Sequence, residues 1–119
     1  MDISTKKPGW EQFEWEGVTC DIKRLTNEEG MEVKAALQKV SGQNLFSREV
    51  REILFPYVQK IKGLKVDGIA VKELKDIFDP QFGQAGKLDD FYFAVTGRFF
   101  EMYNVTEDEV KNSDAPPVD

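Results

Sequence analysis

The first regular pattern along the chain is an alternation of apolar and polar residues on both sides of a Glu-Gly pair at positions 16 and 17. Such alternation around a short glycine-containing turn is typical of a β-hairpin. It predicts strands near 11–16 and 18–24, each with its apolar residues on one face. Those residues are Phe13 and Trp15 in the first strand, and Val18, Cys20 and Ile22 in the second.

After the hairpin, the apolar residues recur mainly at intervals of three and four, which is the spacing of one helix face. Thr26 and Glu29 form a capping box before the first helical stripe, and Thr106 and Glu109 form another near the C-terminus. Pro56 lies inside the second stripe, where it is expected to kink or restart the helix. The pattern predicts helices near 27–41, 47–62, 70–78, 87–103 and 106–112.

These elements predict an α+β fold, a predominantly helical single domain over 10–112 with the N-terminal β-hairpin (11–24) packed on four or five helices. Residues 1–9 are expected to be a flexible N-terminus. Residues 113–119 contain two prolines and no apolar periodicity, so we expect a flexible acidic tail there. No run approaches the roughly 20 apolar residues of a membrane span. The N-terminus lacks the pattern of a secretory signal, so we expect a cytoplasmic protein with no membrane partner.

Composition narrows the chemistry, because the 119 residues include no histidine and one cysteine. Neither a Ser-His-Asp nor a Cys-His site can form within the chain. Cys20 alternates with apolar neighbours, which favours a buried structural thiol over a nucleophile. Asp89 and Asp90 could be a carboxylate pair for acid–base or metal chemistry, but adjacent helical residues do not face each other. We therefore predict no catalytic, cofactor-binding or metal-binding residues and no cofactor, and a small enzyme that uses carboxylates alone is the least favoured alternative.

Charge is distributed unevenly along the chain, whose net charge is −6. Residues 47–65 contain five basic and two acidic residues, whereas residues 66–119 contain twelve acidic and five basic ones. An acidic chain is a poor general binder of nucleic acid. A basic middle and an acidic end instead predict head-to-tail self-association, a contact that does not close on itself. The predicted contact residues are Arg48, Arg51, Lys60 and Lys62 of one copy, and Glu107, Asp108 and Glu109 of another.

Aromatic residues are concentrated in the last long helical stripe, near 87–103. Phe93 and Phe100 lie seven residues apart on a different face from the main stripe, so either they belong to a central buried helix or they form a partner surface. We predict both as partner-binding residues, while burial in the core remains the alternative. Trp10 and Trp15 could form a ligand-stacking surface, but core packing is favoured.

The order of the segments resembles a known family. "FEWEGVTCDIKRLTNEEGMEV" is a hairpin followed by a capped helix, "VQKIKGLKVDGIAV" contains a Gly-x-x-x-Asp-Gly-like loop, and an aromatic helix precedes "NVTEDEVKNS". In this order the chain is similar to the tail assembly chaperones of long-tailed bacteriophages, from about Phe13 to Ser113.

The resemblance implies a non-enzymatic protein that binds the tape-measure protein and helps recruit the tail-tube protein. It implies action in the host cytoplasm during assembly, absence from the mature virion, and in some members a longer form produced by ribosomal frameshifting. The alternative function is a phage-encoded acidic interaction module or inhibitor that binds a basic host protein, which would depend strongly on salt.

Overall fold

We analysed a computed structural model that describes the side chains of residues 1–103 and the backbone of residues 1–118. Its N-terminal hairpin joins β1 (Gly9–Trp15) to β2 (Val18–Arg24) in antiparallel register, with Trp15 opposite Val18. Glu16 and Gly17 have φ angles of 47° and 83°. Positive φ at both turn positions is the type I′ geometry that matches the twist of the strands. The predicted hairpin is therefore confirmed.

A third strand, β3 (Val58–Lys62), pairs antiparallel with β2, so the sheet has the order β1-β2-β3. The prediction of one helix over 47–62 is therefore wrong. Helix α2 covers only Arg48–Leu54, and a 3₁₀ turn at Phe55–Tyr57 leads into β3. Pro56 explains the end of the helix, because it has no N–H group to donate and its ring clashes with the carbonyl four residues earlier.

The next segment also differs from the predicted helix near 70–78. Two short strands, β4 (Lys65–Val66) and β5 (Ile69–Ala70), form a second hairpin. A 3₁₀ helix then covers only Leu74–Phe78. Val71 N donates to Leu64 O at 3.0 Å, and Ile61 N donates to Lys72 O at 3.0 Å. Because these strand-like bonds hold residues 71 and 72 extended, a helix cannot begin at 70.

Two further helices begin where predicted, near 27 and 87, but the second continues past the predicted end at 103. Helix α1 covers Asn27–Lys39 and begins at the predicted capping box, in which Glu29 N donates to Thr26 Oγ1 at 3.1 Å and Thr26 N donates to Glu29 Oε1 at 3.0 Å. Helix α3 covers Gly86–Val118. The predicted separate helix 106–112 and tail 113–119 lie outside the residues whose side chains are described. Within the described part of the chain, no helix has both the length and the apolar character of a membrane span.

The core lies between the sheet and α3. The buried face of β2 contributes Cys20 and Ile22, and α3 contributes Phe91, Val95 and Phe99, all at most 2% exposed. Helix accounts for 45% and strand for 22% of the structure, in three helices and five strands. The α+β class is thus retained, but the prediction of a predominantly helical domain with four or five helices is wrong, because two of the predicted helices are replaced mainly by strand and 3₁₀ turns.

Candidate protein-binding surface

Helix α3 has one face in the core and one face in solvent. Phe93 is 59% exposed and Phe100 is half-buried. Gly97 lies between them, and a Cβ atom built there would meet nothing within 4 Å. Intervals of four and three residues place all three on one side of a helix. We call Phe93, Gly97 and Phe100 the outer strip.

A hydrogen bond from Tyr92 to the segment before α2 fixes how α3 is rotated. Tyr92 is 1% exposed, and its hydroxyl donates to the carbonyl of Leu45. Thr96 Oγ1 donates to Tyr92 O at 2.9 Å. Burial raises the pKa of Tyr92 to about 12, so its hydroxyl remains a donor at neutral pH. Because the Tyr92 hydroxyl reaches the Leu45 carbonyl in this orientation of α3, the outer strip is held towards solvent.

The structure separates the two predicted aromatic contacts by exposure. Phe93 is open, as predicted for a partner-binding residue. Phe100 is partly covered, because its ring lies 5.3 Å from that of Phe99 and 6.4 Å from that of Tyr103. The outer strip therefore presents one open aromatic ring, an empty notch at Gly97 and the edge of a second ring.

The four predicted basic contacts lie on two elements. Arg48 is exposed on α2, and Lys60 and Lys62 are exposed on β3. Arg51 is half-buried, and its guanidinium lies 4.2 Å from the centre of the Phe78 ring. Arg51 is therefore partly engaged within its own chain. Their predicted acidic partners, Glu107, Asp108 and Glu109, lie outside the described residues.

The structure also places the two tryptophans and the cysteine that the sequence offered as functional candidates. Trp15 packs on Phe91 with ring centres 5.8 Å apart, whereas Trp10 is 41% exposed on the opposite face of β1. Their separation across the strand rules out one shared stacking surface. Burial, with a smaller effect of the Asp21 charge, raises the pKa of Cys20 to about 12, which keeps the thiol protonated.

Carboxylates do not converge in the described part of the molecule. Gln84 Nε2 donates to Asp89 Oδ2 at 2.7 Å, and Asp89 and Asp90 are both exposed in the first turn of α3. Among the described residues, no group of three or more acidic or cysteine side chains is arranged to hold a metal ion.

One feature was missed by the sequence analysis. A cleft of about 690 Å³ lies where the N-terminal segment, the end of β2, the first half of α1 and α3 meet. We call it the N-terminal cleft. It could not be recognised from the sequence, because its residues come from distant segments. They are Ile3, Thr5, Lys6, Pro8, Arg24, Leu25, Thr26, Asn27, Gly30, Met31, Lys34, Met102 and Tyr103.

Comparisons of the chain with protein-family models, with curated proteins and with solved structures found no match.

Proposed function

We propose that this chain is a non-enzymatic tail assembly chaperone of a long-tailed bacteriophage, which binds the tape-measure protein and helps recruit tail-tube subunits. In this role the protein acts in the host cytoplasm during assembly and is absent from the mature virion. The observation that carries the proposal is the outer strip, because a client-binding protein needs apolar surface that its own fold leaves open. The resemblance in segment order supports the choice of client.

The geometry of the strip favours a helical client. An open Phe93 ring beside the notch at Gly97 can accept a protruding side chain of a second helix, as ridges pack into grooves. Aromatic side chains bury roughly 150–250 Å². Covering the exposed 59% of Phe93 at roughly 25 cal/mol per Å² would therefore contribute about 2–4 kcal/mol to binding. A row of such contacts along a long client would keep it soluble.

The test is co-expression with a tape-measure protein from the phage that encodes this chain, with the soluble fraction of that client as the readout. Phe93→Ser should reduce the soluble client severalfold and abolish co-purification. The matched control is Ile69→Ser, since Ile69 is 45% exposed on β5, away from α3. Both variants should unfold at nearly the same denaturant concentration as the wild type, because both side chains are exposed.

A second variant tests the notch. Gly97→Leu adds a side chain into open space, so the protein should fold while the client can no longer approach. If Phe93→Ser and Gly97→Leu both rescue the client as well as the wild type does, the outer strip is not the client site. If the wild type does not rescue the client, the chaperone assignment fails, and a basic host target becomes the next candidate.

Self-association is a separate part of the proposal. Arg48, Lys60 and Lys62 are exposed and can meet acidic residues of a second copy. Oligomers that shrink as salt is raised would support a charged head-to-tail contact. A monomer at every concentration at low salt would refute it.

A further inference from the structure

The N-terminal cleft concentrates positive charge in an acidic protein. Arg24 and Lys34 line it, and no acidic residue does so in the described part of the chain. The whole chain has a net charge of −6. Positive charge in a concave, low-dielectric site attracts anionic groups more strongly than the same charge on an open surface.

Arg24 is short of acceptors. Its side chain is only 9% exposed, and its Nε donates to Glu11 Oε2 at 2.7 Å. Its Nη1 is buried and has no hydrogen-bond partner among the described residues. Glu11 is also shared, because Arg98 Nη2 lies 3.4 Å from Glu11 Oε1. Arg98 also pairs with Glu101, so within this group the shortage of acceptors is confined to Arg24 Nη1. A carboxylate that enters the cleft would supply the missing acceptor.

Apolar side chains surround this charge. Leu25 and Met102 belong to the cleft wall, while Ile3 and Met31 are 49% and 62% exposed. Because the last two line the cleft and are also largely exposed, a ligand that enters the cleft can cover them. Methionine is flexible and polarizable, which suits a surface that adapts to a peptide.

We propose that the N-terminal cleft binds an acidic, amphipathic peptide segment of a partner protein. The peptide's apolar side chains cover Ile3 and Met31, and its carboxylates approach Arg24 and Lys34. The volume of about 690 Å³ is within the range of roughly 300–1,000 Å³ found for ligand sites. This proposal does not rest on the outer strip, and it gives the protein a second partner besides the client.

The probe is a fluorescein-labelled helical peptide of 14 residues, with leucines at positions i, i+3, i+4 and i+7 and glutamates beside them. Its binding to the full chain is measured by fluorescence anisotropy at low salt. Replacing the glutamates with glutamines should weaken binding at least about tenfold, which corresponds to about 1.4 kcal/mol. Raising the salt should weaken binding of the glutamate peptide and leave the glutamine peptide nearly unchanged.

Exposed residues provide variants that keep the fold. Lys34→Glu and Met31→Ser should each weaken binding of the glutamate peptide several-fold to tenfold. The matched control is Lys39→Glu, because Lys39 is exposed on the same helix but does not line the cleft. Phe93→Ser should also bind the peptide normally, so failure of this proposal and failure of the proposed chaperone function are distinguishable.

Three outcomes would overturn the proposal. The first is equal affinity for the glutamate and glutamine peptides. The second is an equal effect of Lys34→Glu and Lys39→Glu. The third is no binding of the glutamate peptide, and Lys34-dependent binding of decanoate would then assign the cleft to a small amphiphilic carboxylate.

Discussion

Gly63 is the position where one added methyl group should have the largest effect. Its φ angle is +85°, and a Cβ atom there would lie 2.8 Å from Gly17 O, in the turn of the first hairpin. Gly42 has a similar φ angle of +92°, but a Cβ atom there would meet nothing within 4 Å. Alanine at either position must adopt a left-handed conformation, whereas only Gly63→Ala also overlaps with backbone.

The two costs can be estimated separately. A left-handed conformation costs a residue with a Cβ atom roughly 1–2 kcal/mol, so Gly42→Ala should lower the free energy of unfolding by about that amount. Overpacking against atoms that can shift only slightly adds roughly 1–3 kcal/mol. Gly63→Ala should therefore lower the free energy of unfolding by about 2–5 kcal/mol in total. The free energy of unfolding of a typical domain is roughly 5–15 kcal/mol.

Equilibrium unfolding in urea, followed by far-ultraviolet circular dichroism and tryptophan fluorescence, measures both changes. Asparagine separates the two causes, because it tolerates the left-handed conformation but retains a Cβ atom. Gly42→Asn should be close to wild type, while Gly63→Asn should remain clearly destabilised. Equal losses for Gly63→Ala and Gly42→Ala would refute the reasoning, since the turn at Gly17 would then move aside at no cost.

Three other predictions follow from buried or capping groups. Tyr92→Phe leaves the Leu45 carbonyl without its donor and should cost about 1–2 kcal/mol; a smaller loss would mean that water replaces the hydroxyl. The folded protein binds the Tyr92 proton more tightly than the unfolded chain, whose pKa is near 10. The wild-type advantage over Tyr92→Phe should thus be full below pH 10 and shrink as the pH rises towards 12. Cys20 should react with a thiol reagent at pH 8 only after unfolding, and rapid reaction in the native protein would contradict its burial. Thr26→Ala removes the cap of α1 and should cost about 1 kcal/mol in urea unfolding, whereas Thr26→Ser should be nearly neutral.

Local signals in the sequence predicted the elements that depend on local interactions. The first hairpin follows from alternation around a short glycine-containing turn, and α1 follows from its capping box. Each of these signals involves residues only a few positions apart, so the surrounding fold does not have to be known.

The predicted helix over 47–62 failed for a specific reason. Val58 and Ile61 are both buried and lie three residues apart, which is a helical interval. The interval arises here from a β-bulge, because Thr19 and Asp21 of β2 lie opposite Lys62 and Gln59 of β3. Lys60, with φ of 55°, is at this bulge. A bulge adds one residue to the strand period of two, so one pair of buried residues cannot distinguish a bulged strand from a helix.

For the two candidate surfaces as well, the sequence indicates some features and only the folded structure determines the others. Phe93 could be predicted because it departs from the apolar stripe of its own helix, but its exposure depends on how α3 is rotated against the sheet. That rotation is fixed by contacts such as Tyr92 with Leu45, which are 47 residues apart. The N-terminal cleft joins Ile3, Arg24 and Met102, so its charge and its apolar wall become one site only after folding.

The outer strip and the N-terminal cleft should bind their partners in different ways, because they lie on different kinds of structure. The outer strip lies on a helix that is packed along its other face and anchored by buried hydrogen bonds. A client that covers Phe93 therefore meets a preorganised surface and loses little conformational entropy. Part of the N-terminal cleft comes from residues 1–8, which have no regular secondary structure. A peptide bound there must also order Ile3 and its neighbours, so its affinity should depend more on the charges of Arg24 and Lys34 than on apolar contact.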